Sequence, residues 1–402
     1  MKLKNNIRRF FNIKNVRIFS ILLVLILSLT FVSSNTVIAE TEKNTNLGTW
    51  QMLVDGKSGE GGFFYRLDFS ANGKVAVTKQ FGGNNIKEEK LWEKQGDKLL
   101  IKSLADDKIT ELDNSSLVFT DNNTISYSNG FYNSVLKPYK NGLAIINWIM
   151  ILLILILLNE IFRRFKNISI IFYFVLPIVL IPLWSSYGVT YWFKWVKIYS
   201  VVLASVWFIL MRFTKLGTYK FAKLIAALFL AVNIGEAVTQ DFSMGYLPNI
   251  LNGIAGILSI ATLFYGWKEI EPDDSKEKDL IWSKMPLFWI IAYDIWNWVF
   301  VYLNFPGSAS GQFMVLLSCT IPAIFIKKGT WLQARGFTLA AWFMYYFTFP
   351  RFTESMQLMV PRDNFLMLSV AIISIVANGA YGVLYIKRVL SEKRSLQITT
   401  KY

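Results

Sequence analysis

The apolar runs of this sequence are too long for an ordinary soluble domain. Several approach or exceed the roughly 18 to 20 residues that cross about 30 Å of hydrocarbon as helix, and 53% of the 402 residues are hydrophobic. The lipid bilayer is therefore the expected partner. The formal charge of +15 raises nucleic acid as another candidate, and its distribution argues against it. Residues 1–39 hold six basic residues and no acid, residues 40–140 are nearly balanced, and the remaining excess flanks apolar segments. Basic residues placed that way set membrane topology.

Residues 1–39 have the three parts of a secretory signal peptide: a basic stretch from Lys2 to Arg17, the apolar core ILLVLILSLTFV, and Val37-Ile38-Ala39 as a small-residue cleavage site. An uncleaved anchor gives the same topology. Residues 40–140 are then extracytoplasmic. The single cysteine, Cys319, lies in an apolar segment, so this exported part folds without disulfides. The absence of histidine removes the usual general base and zinc ligand. No cofactor and no metal site are expected.

Within residues 40–140 the period changes. YRLDF (65–69), KVAVT (74–78) and SLVFT (116–120) alternate apolar with polar, as half-buried strands do. Asn72-Gly73 marks a hairpin, and Gly96-Asp97 and Asp121-Asn122-Asn123 mark further turns. Eight or nine short strands manage their edges by closing into a small barrel or a compact sandwich.

Gly48-Thr49-Trp50 at the start of the first strand, with Trp92 followed by Gly96-Asp97-Lys98-Leu99-Leu100-Ile101, resembles the small bacterial lipocalin-like domains. The resemblance implies an all-β barrel with an apolar interior able to take a small or lipidic ligand, and Trp50 near its closed end. The candidate interior residues are Trp50, Tyr65, Leu67, Phe69 and Trp92. These same side chains can instead fill a solid core, since eight strands leave an interior just wide enough for side chains.

Beyond the exported domain come nine spanning segments, at about 142–161, 167–184, 193–213, 218–238, 244–267, 282–304, 312–327, 330–349 and 364–386. The seventh is short and contains Pro322. Arg163, Arg164, Arg212, Lys215, Lys327, Lys328, Lys387 and Arg388 all fall on the side that puts the C-terminus in the cytoplasm. The string NGIAGILSI (252–260) returns as NGAYGVLYI (378–386), and Phe213-Thr-Lys215-Leu-Gly217-Thr218-Tyr219 returns as Phe325-Ile-Lys327-Lys-Gly329-Thr330-Trp331. Two parallel four-helix repeats are expected, at 167–268 and 282–388. Residues 141–166 form a tether helix, 269–281 an acidic, solvated cytoplasmic linker, and 389–402 a cytoplasmic tail. From about residue 185 to 386 the chain resembles an uncharacterised family of bacterial polytopic membrane proteins, which implies no activity. The expected fold is thus multi-domain: a small β barrel outside a bacterial plasma membrane and an all-α bundle within it.

Charged and amide side chains at membrane depth face the bundle interior. Asn233 and Glu236 lie one turn apart. Asn249, Asn252, Gly256 and Ser259 share one face, as do Asp294 and Asn297, and Asn378 is the repeat partner of Asn252. One outcome is a substrate or ion site between the repeats, with Asp294 and Glu236 binding a cation or proton and the glycines 253, 256, 379 and 382 interrupting their helices. The other is that the asparagines bridge helices and the glycines allow close packing. Three functions follow: a transporter-like or ligand-handling protein, a membrane enzyme using Asp294 and Glu236 on a lipid-borne substrate, or a sensor or scaffold that relays barrel ligation to a separate partner.

Overall fold

The computed structural model describes residues 48–54, 63–70, 72–95, 98–102, 116–121, 124–128, 133–186, 192–349, 353 and 356–399. The expected signal peptide and the Gly96-Asp97 turn lie outside them. Eight strands close into a barrel in meander order: β1 (Gly48–Val54), β2 (Phe63–Phe69), β3 (Lys74–Phe81), β4 (Asn84–Gln95), β5 (Lys98–Lys102), β6 (Ser116–Asp121), β7 (Thr124–Ser128) and β8 (Asn133–Tyr139). Closure leaves no unpaired edge. At the Asn-Gly hairpin, Gly73 takes a φ of 76° and the Asn72 side chain accepts the Lys74 amide at 3.1 Å.

By internal contacts the chain divides into two compact units. The first holds the described residues up to Trp50 together with Asp68–Val75 and Lys90–Pro138. Its core is aromatic and aliphatic: Phe69 meets Trp92 edge-on at 5.0 Å, Trp50, Leu99, Leu117, Ile125 and Leu136 are buried, and Trp92 is half-buried. The second unit holds Gln51–Leu67, Ala76–Glu89 and Tyr139–Tyr402, in which Tyr65 and Leu67 are fully buried.

The helices of the second unit are α1 (Asn141–Arg164), α2 (Lys166–Ile170), α3 (Leu176–Val179), α4 (Ile181–Ser186), α5 (Trp192–Phe213), α6 (Lys220–Met244), α7 (Leu247–Leu263), α8 (Leu287–Asn304), α9 (Ala309–Phe325), α10 (Trp331–Thr348) and α11 (Asn364–Thr399). A π-helical turn at Ile171–Val175 joins α2 to α3. Each of the nine apolar runs is largely helical. The second is broken where Pro177 and Pro182 withdraw their donors. Among the described residues, four helices are long and apolar enough to cross a membrane: Gly142–Arg164, Lys194–Phe213, Lys220–Met244 and Asn364–Glu392. The chain is a membrane protein on that evidence.

Three expectations need correction. The glycines do not interrupt their helices: α7 runs through Gly253 and Gly256, and α11 through Gly379 and Gly382. Gly256 instead permits close packing, because a Cβ there would stand 2.4 Å from Val238 and 2.8 Å from Trp296. Second, the acidic segment 269–281 is not a simple solvated linker. Its ends pair as β9 (Ile270–Pro272) and β10 (Leu280–Trp282), and Asp279 between them is wholly buried. Arg163 donates to Asp279 Oδ2 at 2.7 Å and Gln333 to its Oδ1 at 3.2 Å, while Arg212 caps the carbonyls of Phe162, Arg163, Glu277 and Lys278. Third, the packing lends no support to a four-helix repeat. α6 packs on α7, but its proposed counterpart α10 packs on α9, α5 and α1. Only the two loops correspond: Gly217 abuts Pro272 of β9, and Gly329 abuts Ile281 of β10.

Candidate functional site

The β9–β10 pair fixes which helix ends lie together. The segment that follows α5 meets it through Gly217, and the start of α10 meets it through Gly329 and Gln333. Thus α5 and α10 are antiparallel, and Ser205 donates to the Gly336 carbonyl at 3.0 Å between them. α6 also starts at this end, where Lys223 pairs with Glu271 at 3.0 Å.

Between α5, α6, α8, α9 and α10 lies a crevice of about 500 Å³. Its α10 wall runs from Arg335 through Leu339, Trp342 and Phe343 to Phe347, about 18 Å at 1.5 Å per residue. Thr239 and Ser243 at the end far from β9–β10 are exposed, whereas Asn297 and Arg335 are 5% and 4% exposed. The mouth is therefore at the far end and the floor near Arg335.

Three nominated residues meet here: Asn233, Glu236 and Asn297. Glu236 accepts Lys197 at 2.9 Å, a half-exposed pair toward the mouth. At the floor Asn297 Oδ1 accepts the Gln312 amide and, at 3.4 Å, Nη2 of Arg335. The Arg335 guanidinium lies 5.9 Å from the centre of the Tyr293 ring, and its Nε and Nη1 have no hydrogen-bond partner among the described residues.

The other nominated residues are elsewhere. Asp294 does not line the crevice; its Oδ2 accepts the Thr320 hydroxyl at 2.6 Å and its Oδ1 is without a partner. It has no hydrogen bond to Asn297, Glu236, Asn252 or Asn378 among the described residues. Asn249 and Asn252 donate to the buried Asp241 at 3.0 and 2.7 Å, and Asn304 donates to it at 2.6 Å. Asn378 accepts Ser259 at 2.6 Å and donates to the Ala292 carbonyl. These asparagines bridge helices, as a buried amide must when water is absent.

A family model described as a family of unknown function, DUF5692, matches residues 140–400. The chain belongs to that family. No curated protein and no solved structure matches the chain. The DUF5692 region begins directly after β8 and takes in every described helix, the crevice and the Asp279 cluster, while the barrel strands precede it.

Sequence reasoning missed Arg335, Asp241 and Asp279. Arg335 lies just past the second Lys-x-Gly-Thr string, and it is the fifth residue of α10. Asp241 was placed beyond its helix, which in fact continues to Met244 and ends on Gly245 at φ 70°. That glycine followed by Pro248 is the signal that locates the end.

Proposed function

We propose that this DUF5692 protein is a ligand-handling, transporter-like membrane protein whose site is the α5–α6–α8–α9–α10 crevice. The observation that carries this function is the convergence of Asn233, Glu236, Asn297, Gln312 and Arg335 on one partly open cavity. Polar groups gathered on a mostly apolar concavity are what orients a small ligand, and in a membrane such groups are expensive unless used.

In this proposal all nine apolar segments cross the bilayer, the barrel is extracytoplasmic, and the crevice opens outward. The basic residues near Arg163, Arg212 and Lys327 support that sidedness. The enzyme alternative loses support because its two carboxylates are apart: Glu236 is in the crevice and paired to Lys197, and Asp294 is outside it. In this function the barrel is an extracytoplasmic ligand-binding domain.

The test is access. Asn233→Cys, with the buried Cys319 changed to Ser, should react with a membrane-impermeant thiol reagent supplied from outside the cell. Reaction only in inverted vesicles would reverse the topology, and no reaction on either side would eliminate the crevice as a site.

A further inference from the structure

Arg335 is a buried cation whose Nε and Nη1 have no acceptor among the described residues. It interacts electrostatically with Tyr293, Cys319 and Asp294, and Asp294, whose Oδ2 takes the Thr320 hydroxyl, makes no direct ion pair with it among the described residues. Taking a guanidinium out of water without a hydrogen-bonded counter-charge is strongly unfavourable. Its environment differs from that of Arg212, which is equally buried but donates to four backbone carbonyls. Arg212 is a structural cap, whereas Arg335 borders a cavity.

The cavity has a charge bias and an apolar wall. Lys197 and Arg335 line it, and Glu236, the acid among its described lining residues, is already neutralised by Lys197. Leu339, Trp342, Phe343 and Phe347 continue the α10 face from Arg335 toward the mouth. Ser205 sets Arg335 about 12 Å deeper than Lys197 along α5.

We infer that Arg335 is an anion-recognition residue, and that the crevice takes an amphipathic molecule with a carboxylate or phosphate head seated on Arg335 and an apolar body along α10. This rests on the crevice being the site. Guanidinium suits such a head because it donates several hydrogen bonds to the planar or tetrahedral oxygens, and Gln312 and Asn297 stand beside it to complete the contacts. The source is either a free amphiphile or an anionic lipid headgroup.

Full-length protein in phosphatidylcholine nanodiscs is heated with octyl phosphate, octanoate, octyltrimethylammonium or octyl glucoside. A ligand that binds only the folded state raises the midpoint. The two anions should stabilise and the cation and neutral glycoside should not. Arg335→Gln should weaken octyl phosphate binding about tenfold or more, the loss expected for a charge-assisted hydrogen bond. Leu339→Trp, which keeps the arginine and fills the cavity, should abolish it, so the test survives an Arg335 variant that fails to fold.

Equal stabilisation by all four probes, or unchanged affinity in Arg335→Gln or Leu339→Trp, overturns the inference while leaving the crevice. Absence of any shift overturns it as well, and thiol labelling at position 233 then tells whether the crevice falls with it. In nanodiscs doped with phosphatidylglycerol, competition with octyl phosphate identifies the lipid headgroup as source, and undiminished octyl phosphate binding identifies the free amphiphile. Both outcomes support the anion site.

Discussion

Asn252 donates its amide to Asp241 at 2.7 Å and accepts the Ser374 hydroxyl with its carbonyl at 2.7 Å. One side chain of α7 thereby ties α6 to α11. With Asn249 and Asn304, it surrounds Asp241 by amide donors.

Asp241→Leu should therefore destabilise the bundle by at least about 3 kcal/mol, since buried donors left unpaired cost roughly 1 to 3 kcal/mol each. Asp241→Asn should be milder and should leave thiol labelling at position 233 intact. Loss of labelling at normal expression would move Asp241 from a structural to a functional role.

Asp279 is the acid between two buried arginines, 2.7 Å from Arg163 and 3.9 Å from Arg212. Asp279→Asn should reduce stability by about 3 to 5 kcal/mol, because Arg212 loses its buried counter-charge and Arg163 keeps only the partly exposed Glu160. Glu160→Gln, on the partly exposed side of Arg163, should cost less than about 1 kcal/mol. Detergent-stability profiles of the two variants in parallel provide the comparison, and equal losses would contradict the assignment.

The glycines make a paired test. Gly256→Ala puts a methyl group into Val238 and Trp296 and should cost about 1 to 3 kcal/mol. Gly382→Ala meets nothing within 4 Å and should be neutral or stabilising by up to about 1 kcal/mol. Thermal unfolding of both variants measures the difference, and a loss in both would restore the notion of a special glycine pair.

Burial raises the Asp273 carboxyl, but Lys327 at 2.8 Å and the Ser275 hydroxyl outweigh it and hold it below the usual value. A depressed carboxylate stabilises the fold above its unfolded value of about 3.9, and that contribution fades as pH falls through the folded value. Asp273→Asn should cost about 0.5 to 1 kcal/mol at pH 7 and less at pH 3. A penalty that is constant across this range in unfolding midpoints would rule out the ion pair as its cause.

What the sequence made legible was local. Alternation in KVAVT and the Asn72-Gly73 turn located β2 and β3, and apolar length located the helices. The pairing of polar groups across helices was illegible, because spacing along one helix says which side chains share a face and nothing about the helix opposite. Hence Asn233 and Asn297 line the crevice, while Asn249 and Asn252, expected on the same grounds to serve a site, are committed to Asp241. The similar strings at 252–260 and 378–386 suggested equivalence, yet α7 and α11 pack on each other, so those asparagines occupy two sides of one contact.

The Asp279 cluster also has a consequence for biosynthesis. Arg163 meets its buried acid, Asp279, only 116 residues downstream, and Trp148 of α1 finds its acceptor, the Ser310 carbonyl, 162 residues downstream. While the ribosome is still making that intervening chain, Arg163 has only Glu160 of its own helix, and Arg212 lacks the carbonyls of Glu277 and Lys278. The first helix released is thus among the last to be locked, and a chain stalled before residue 279 exposes the charged ends that quality-control proteases can recognise.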